Sequence, residues 1–124
     1  GASQVVLVDS SRPAVNAARA NAESLGLEGV VVVASSTERY LSGRPTLQAD
    51  LVLLDPPYTV TEETVASVLD RLTTGDWLSS QGTVVLERST RSPEPSWPEG
   101  LVPFGVRRYG ESALWMAYTA EDGC

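Results

Sequence analysis

The sequence predicts an α/β fold, a mostly parallel sheet that ends in an antiparallel hairpin. Two observations predict it. Short apolar, β-branched runs alternate with segments of helical spacing from residue 4 to residue 88, as strand–helix–strand crossovers do. Beyond a Pro-rich loop, two further strand-like runs are separated by a tight-turn tetrapeptide, the mark of a hairpin. A chain of 124 residues is long enough for one domain with one core. Residues 1–124 read as a single domain, without internal repeats or low-complexity segments.

Each element has its own signal. "QVVLVDS" reads as a strand over residues 4–8 that ends in Asp9. Ser10 or Ser11 caps the helix that follows, and Pro13 sits near its first turn, where a missing N–H costs little. Ala14, Val15, Ala18, Ala22 and Leu25 recur at helical spacing, and Gly26 closes the helix. "GVVVVA" is a second strand, β-branched throughout, as suits burial on both faces. "SSTERYLSG" gives a short helix opened by Ser35 or Ser36. Residues 50–54 of "ADLVLLDPPYTV" read as one buried strand ending in Asp55. "TVTEETVASVLDRL" is a helix capped by Thr61, with Glu62 and Glu63 at the positive end of its dipole. Val65, Val68, Leu69 and Leu72 form its apolar face. "GTVVLER" is the fourth strand. "STRSPEPSWPEG" is a loop, and "LVPFGVRRYG" and "SALWMAYT" are two strands turning at "YGES". Trp77 reads as an anchor for a helix end. Trp115 and Tyr118 alternate with Leu114 and Met116, so one face of the last strand is core.

The composition excludes several kinds of chemistry. There is no histidine, which removes Ser-His-Asp and Cys-His catalysis and His-rich metal sites. The single cysteine, Cys124, is the last residue. No disulfide forms within the chain, which fits a reducing cytoplasm. No apolar run has the length of a membrane span, and no signal-peptide pattern is present. Nine basic residues against sixteen acidic ones give a net charge of −7, which opposes binding to a polyanion.

Two strands end in an acid, Asp9 and Asp55. In open α/β sheets ligands bind beyond the carboxyl ends of the strands, where a Rossmann-like domain places an acid to hold a ribose hydroxyl pair. Asp9 fits that role and also fits the plainer one of capping the next helix.

Asp55-Pro56-Pro57-Tyr58 is more specific. Two prolines fix φ and stiffen the loop. They also remove two N–H groups, so the loop offers carbonyl oxygens without competing donors. A carboxylate beside a rigid carbonyl makes a pair of acceptors that matches an exocyclic NH₂. Tyr58 offers a face on which a planar ring can stack, although a packed loop aromatic would look the same. The loop is shaped to hold a planar amine with its lone pair turned outward.

With those residues in view, the tetrapeptide resembles motif IV of the S-adenosylmethionine-dependent amino-methyltransferases. "GASQVVLVDSSRPAVNAARANAESLGL", "DLVLLDPPY", "WLSSQGTVVLE" and "RRYGESALWMAY" together resemble the RsmD family, which methylates the N2 amine of a guanine in 16S ribosomal RNA. The resemblance covers nearly the whole chain. It implies a Rossmann-like methyltransferase sheet and S-adenosylmethionine as cofactor. Asp9, with Ser10, would hold the ribose. Ser36, with Thr37, would lie near the adenine amine, where relatives carry Asp or Asn. Asp55 and the Pro56 carbonyl would accept the guanine amine protons, in a loop held by Pro57. Asp55 would also border the cofactor. Tyr58 would stack on the flipped base. The reaction would be direct transfer of the sulfonium methyl to the amine, with no metal. The partner would be small-subunit ribosomal RNA or the assembling 30S particle, met in the cytoplasm by a monomer.

The family's glycine-rich cofactor loop and first strand would precede Gly1. The chain therefore reads as a partial methyltransferase domain that lacks them. The missing strand would lie between "VVLV" and "LVLL". Those two strands could close the gap, another polypeptide could fill it, or the edges could stay exposed. The family's upstream segment is basic, which lessens the objection raised by the charge. Within the chain, Arg88, Arg91, Arg107 and Arg108 gather near the hairpin, Arg107 and Arg108 as a solvated strand face.

Three other readings stand beside this one. The substrate amine could belong to adenine, cytosine or a glutamine amide. The chain could be a non-catalytic α/β binding fragment, as the absent glycine-rich loop suggests. A nicotinamide-binding Rossmann domain shares the strand-end acid but leaves Asp-Pro-Pro-Tyr without a purpose.

Overall fold

The alternation in the sequence is the alternation of the fold. The computed structural model describes residues 4–26, 29–57 and 59–120. They divide into two units, Gly1–Gly43 and Arg44–Cys124. The strands form two sheets, one in each unit.

In the first unit, β1 (Val5–Asp9) and β2 (Val30–Ala34) are joined through α1 (Arg12–Ser24), and α2 (Thr37–Leu41) follows. A parallel pair needs such a crossover, because no hairpin can join strands that run the same way. The register runs from Val5↔Val30 to Asp9↔Ala34. Ser11, and not Ser10, caps α1, accepting the Ala14 N–H at 3.4 Å. The helix ends at Leu25, followed by Gly26 at φ +63°, a left-handed conformation that favours glycine. Val15 is fully buried.

The second unit carries β3 (Ala49–Leu54), α3 (Glu62–Thr74), β4 (Leu78–Ser89), β5 (Leu101–Tyr109) and β6 (Ser112–Thr119). Its sheet has the order β3-β4-β6-β5. β3 and β4 are parallel, and the other two pairings are antiparallel. The fold is thus α/β, with parallel pairs inside each crossover and an antiparallel hairpin at the end. Gly110, at φ +56°, turns that hairpin. Thr61 caps α3 by accepting the Thr64 N–H at 3.2 Å. The helix buries Val65, Val68, Leu69 and Leu72, as its spacing predicts. The sheet buries Val84, Leu86, Ala113, Trp115 and Ala117, and Trp77 is buried just past the end of α3. The Pro-rich loop buries Pro95 and leaves Trp97 half-buried, donating to Glu94 at 3.1 Å.

Several expectations are corrected. β2 and β3 are not buried on both faces: Val31 is 55% exposed, Leu51 57% and Leu53 70%. β3 is an edge strand of its sheet, and β-branched runs alone do not separate edge strands from central ones. β4 begins at Leu78, four residues before the expected start at Gly82, because Leu78 pairs with Ala49 before the register shifts. Side chains serve the irregular stretch: Ser79 Oγ donates to Asp50 at 2.7 Å, and Thr119 Oγ1 donates to the Ser79 and Gly82 carbonyls. Tyr118 does not share the core face of Trp115. Strand side chains alternate, so Tyr118 falls on the other face, against Phe104 at 5.7 Å between ring centroids.

Among the described residues no helix is long and apolar enough to cross a membrane. Cys124 lies outside the described residues.

Leu69 is fully buried. Leu69→Ala should destabilise the protein by about 2–5 kcal/mol, read from the midpoint of urea unfolding. Leu47→Ala, at an exposed position, should cost less than about 0.5 kcal/mol.

Candidate active site

The proposed cofactor residues of the first unit meet at one end of its sheet. The ladder places Asp9 opposite Ala34, at the carboxyl ends of two parallel strands, where α/β sheets bind ligands. Ser10 continues from Asp9, and Ser36 and Thr37 continue from Ala34. The side chain of Asp9 lies outside the described residues. Ser10 and Ser36 are exposed, and Thr37 is half-buried.

Ser36 has a structural duty as well. It is the N-cap of α2, and its hydroxyl accepts the Arg39 N–H at 3.2 Å. A hydroxyl has two lone pairs and one proton, so it keeps one acceptor site and its donor for a ligand. Asp or Asn could cap the helix equally well. A shallow apolar hollow in this unit, among Val5, Leu7, Ala22 and Val30, includes none of these polar residues.

The second unit holds the rest. β3 ends at Leu54, paired with Leu86, and Asp55 follows it directly into the loop. Asp55 is exposed, Pro56 half-buried and Pro57 exposed. Tyr58 lies outside the described residues. The Pro57 carbonyl accepts the Val60 N–H at 2.9 Å, which closes the loop into a turn. Among the described residues nothing donates to the Pro56 carbonyl or to the Asp55 carboxylate. Among the described residues, the two oxygens that the sequence singles out as acceptors thus have no donor of their own. The hydrogen bond described inside the turn falls on the next carbonyl, that of Pro57.

Sequence reasoning missed one residue here. Arg88 reads there as one of several basic residues near the hairpin, yet it is 5% exposed. Its Nη2 donates to the Val60 carbonyl at 3.2 Å and to the Glu62 carboxylate, in a salt bridge. A signal was available: Arg88 shares its parity with Val84 and Leu86, the buried face of β4. Arg107 and Arg108 are exposed, as expected, and the Arg108 guanidinium lies 5.8 Å from the centre of the Trp115 ring. Among the described residues no cluster of three or more His, Cys, Asp or Glu could hold a metal ion.

This fold is that of the Rossmann-like methyltransferases. One similar structure is a conserved hypothetical protein from Streptococcus pyogenes: TM-score 0.83, 28% identity, over 97% of this chain and 74% of that one. A provisionally assigned methyltransferase from Escherichia coli, yhhF, has a TM-score of 0.83 at 17% identity, over 98% of this chain and 65% of that one. An rRNA methylase from Streptococcus thermophilus has a TM-score of 0.66 at 12% identity, over 95% and 74%. No curated protein matches the chain.

The chain belongs to the family described as Conserved hypothetical protein 95, which matches residues 1–118. Family and fold together support a methyltransferase.

Replacing the Ser36 hydroxyl tests its capping role. Ser36→Ala should lower stability by about 1 kcal/mol, and Ser36→Asp should restore most of it, both measured by chemical denaturation.

Proposed function

We propose that the protein transfers a methyl group from S-adenosylmethionine to the exocyclic N2 amine of a guanine in small-subunit ribosomal RNA. The observation that carries this reading is the pair of acceptors, the Asp55 carboxylate and the Pro56 carbonyl, in a proline-stiffened turn at the carboxyl end of a parallel strand. The family match runs from residue 1 to residue 118, across both units, which supports a single methyltransferase domain. The fold shared with an rRNA methylase supports RNA as the substrate class.

The residues present fit the cofactor. Asp9 stands at a strand end suited to a ribose diol. Ser10, Ser36 and Thr37 add hydroxyls at the same end of the first unit's sheet, and Ser36 keeps a lone pair and a proton for the adenine edge. Bound S-adenosylmethionine supplies an electrophilic methyl group on a sulfonium centre.

The remaining work falls to the chain. The Asp55 carboxylate and the Pro56 carbonyl accept the two amine protons. With both N–H bonds held, the nitrogen lone pair has one direction left. Most of the rate gain comes from that orientation. The amine loses a proton late, and Asp55 receives it and passes it to water. Pro57 keeps the turn closed through Val60. Tyr58 stacks on the base after it leaves its helix. The same acceptor pair would suit an adenine or cytosine amine, and the guanine assignment rests on the resemblance at "WLSSQGTVVLE" and "YGESALWMAY".

The test uses the full-length protein, unmodified 16S ribosomal RNA or 30S particles, and S-adenosylmethionine with a labelled methyl. The expected product is N2-methylguanosine, identified by nucleoside mass spectrometry. Label on another base would overturn the guanine assignment, and no label on any RNA would overturn the function. Asp55→Ala should lower kcat by about 10²–10³-fold, as loss of a group aimed at the reacting centre does. Its affinity for S-adenosylmethionine, measured by calorimetry, should stay close to that of the unaltered protein. A collapse of cofactor affinity would mean that Asp55 binds the cofactor and does not orient the amine.

A further inference from the structure

The buried guanidinium of Arg88 is poorly explained by stability. Nη2 is well used, but Nε and Nη1 are buried without an acceptor among the described residues. A buried donor without a partner weakens a fold. Removing one member of an ion pair is costly when the other is left buried, but Glu62 is 40% exposed and can turn to water. A methionine at residue 88 would fill the same face of β4 beside Leu86 and leave no donor stranded. The arginine therefore does something that a methionine could not.

What it does is visible in its partners. Val60 ends the loop that begins at Asp55, and Glu62 opens α3. Arg88 Nη2 holds both. The near end of the loop is already fixed, because Leu54 pairs with Leu86 of β4. Arg88 stands two residues further along the same strand. Both ends of the loop are thus pinned to β4, one through the backbone ladder and one through a side chain. Between the pins, the Val60 N–H reaches back to the Pro57 carbonyl. Asp55, Pro56 and Pro57 have little freedom left.

We propose that Arg88 is a positioning residue, a tether from β4 that holds the far end of the loop at Val60 so that the Asp55 and Pro56 oxygens point in one shared direction. The tether is a statement about the loop, and its consequence for turnover rests on the function proposed above. Only the guanidinium combines the reach, the permanent charge and the directed N–H bonds that two acceptors on separate residues require. Lysine carries the charge and three donors, but its ammonium sits on a shorter side chain and lacks the planar fork.

The experiment compares Arg88→Met, Arg88→Lys and the unaltered full-length protein. Three quantities are read: amide hydrogen exchange across residues 55–61, the thermal midpoint, and kcat and KM on RNA. Arg88→Met should keep or raise the midpoint, speed exchange of the Val60 amide by about tenfold or more, and lower kcat by up to about 10²-fold, the scale of a 1 Å misplacement. KM for S-adenosylmethionine should hold. Arg88→Lys should recover part of both exchange protection and kcat. If Arg88→Met fails to fold, Glu62→Gln loosens the same contact from its partly exposed side and should raise Val60 exchange to a smaller degree.

Unchanged Val60 exchange in Arg88→Met would overturn the tether. So would a parallel fall in midpoint, exchange protection and kcat that lysine does not relieve, since that pattern marks a merely structural residue. If the unaltered protein methylates no RNA while Val60 exchange still rises in Arg88→Met with the midpoint held, the tether stands and the proposed function falls.

Discussion

Parallel pairing of β3 with β4 is the constraint from which the second unit's site follows. Strands that run the same way must be joined by a crossover, and their carboxyl ends then lie at the same edge of the sheet. The ladder from Leu51↔Thr83 to Leu54↔Leu86 fixes where the loop begins. The same ladder brings Arg88 level with the far end of that loop. A slip of one residue would move every side chain of β4 to the other face. It would carry Arg88 away from Val60 and Glu62, and a single register thus sets both the acceptors and their support.

The hairpin makes that register secure. β6 lies between β4 and β5, so β4 is paired on both sides, in parallel with β3 and antiparallel with β6. A central strand buries alternate residues deeply, and here they are Val84, Leu86 and Arg88. The arginine is the exception in an apolar row. Its charge is partly met by Glu62, whose side chain is 40% exposed and keeps contact with water. The pair thus spans from the core to the surface at the end of the loop that follows Asp55. Each of the two stranded nitrogens costs about 1–3 kcal/mol relative to a fully paired group. A loop held at that cost is a place where geometry counts for more than stability.

Much of this was legible in the sequence, for identifiable reasons. The apolar face of α3 and its cap at Thr61 came from local patterns that the tertiary fold did not override. So did the turn at Gly110. The acceptor pair came from the chemistry of proline, which is the same in any fold. What escaped the sequence depends on neighbours. Leu51 and Leu53 looked buried because an edge strand and a central strand share a composition. The early start of β4 at Leu78 depends on pairing with Ala49, some thirty residues upstream in sequence. Arg88 was passed over as one of several basic residues near the hairpin, although strict alternation with Val84 and Leu86 pointed inward. Tyr118 was misplaced by the same neglect of parity.

Charge bears on how such a site would meet RNA. A net charge of −7 gives the chain no long-range pull on a phosphate backbone. Screening limits the opposing repulsion to about 8 Å at physiological ionic strength, so beyond that distance the chain neither attracts nor strongly repels. Recognition by these residues must therefore be short-ranged, through hydrogen bonds and stacking at the base itself. Asp55 suits that task. Its negative charge disfavours a phosphate and favours an N–H donor at hydrogen-bond distance. The exposed Arg107 and Arg108 on β5 are cations that could counter phosphate locally, and Arg108 is partly turned to the Trp115 ring. If the proposed function holds, an acidic chain whose Asp55 and Pro56 oxygens have no donor among the described residues is fitted to select an amine once RNA is near. It is poorly fitted to draw RNA from solution, and the two tasks need different residues.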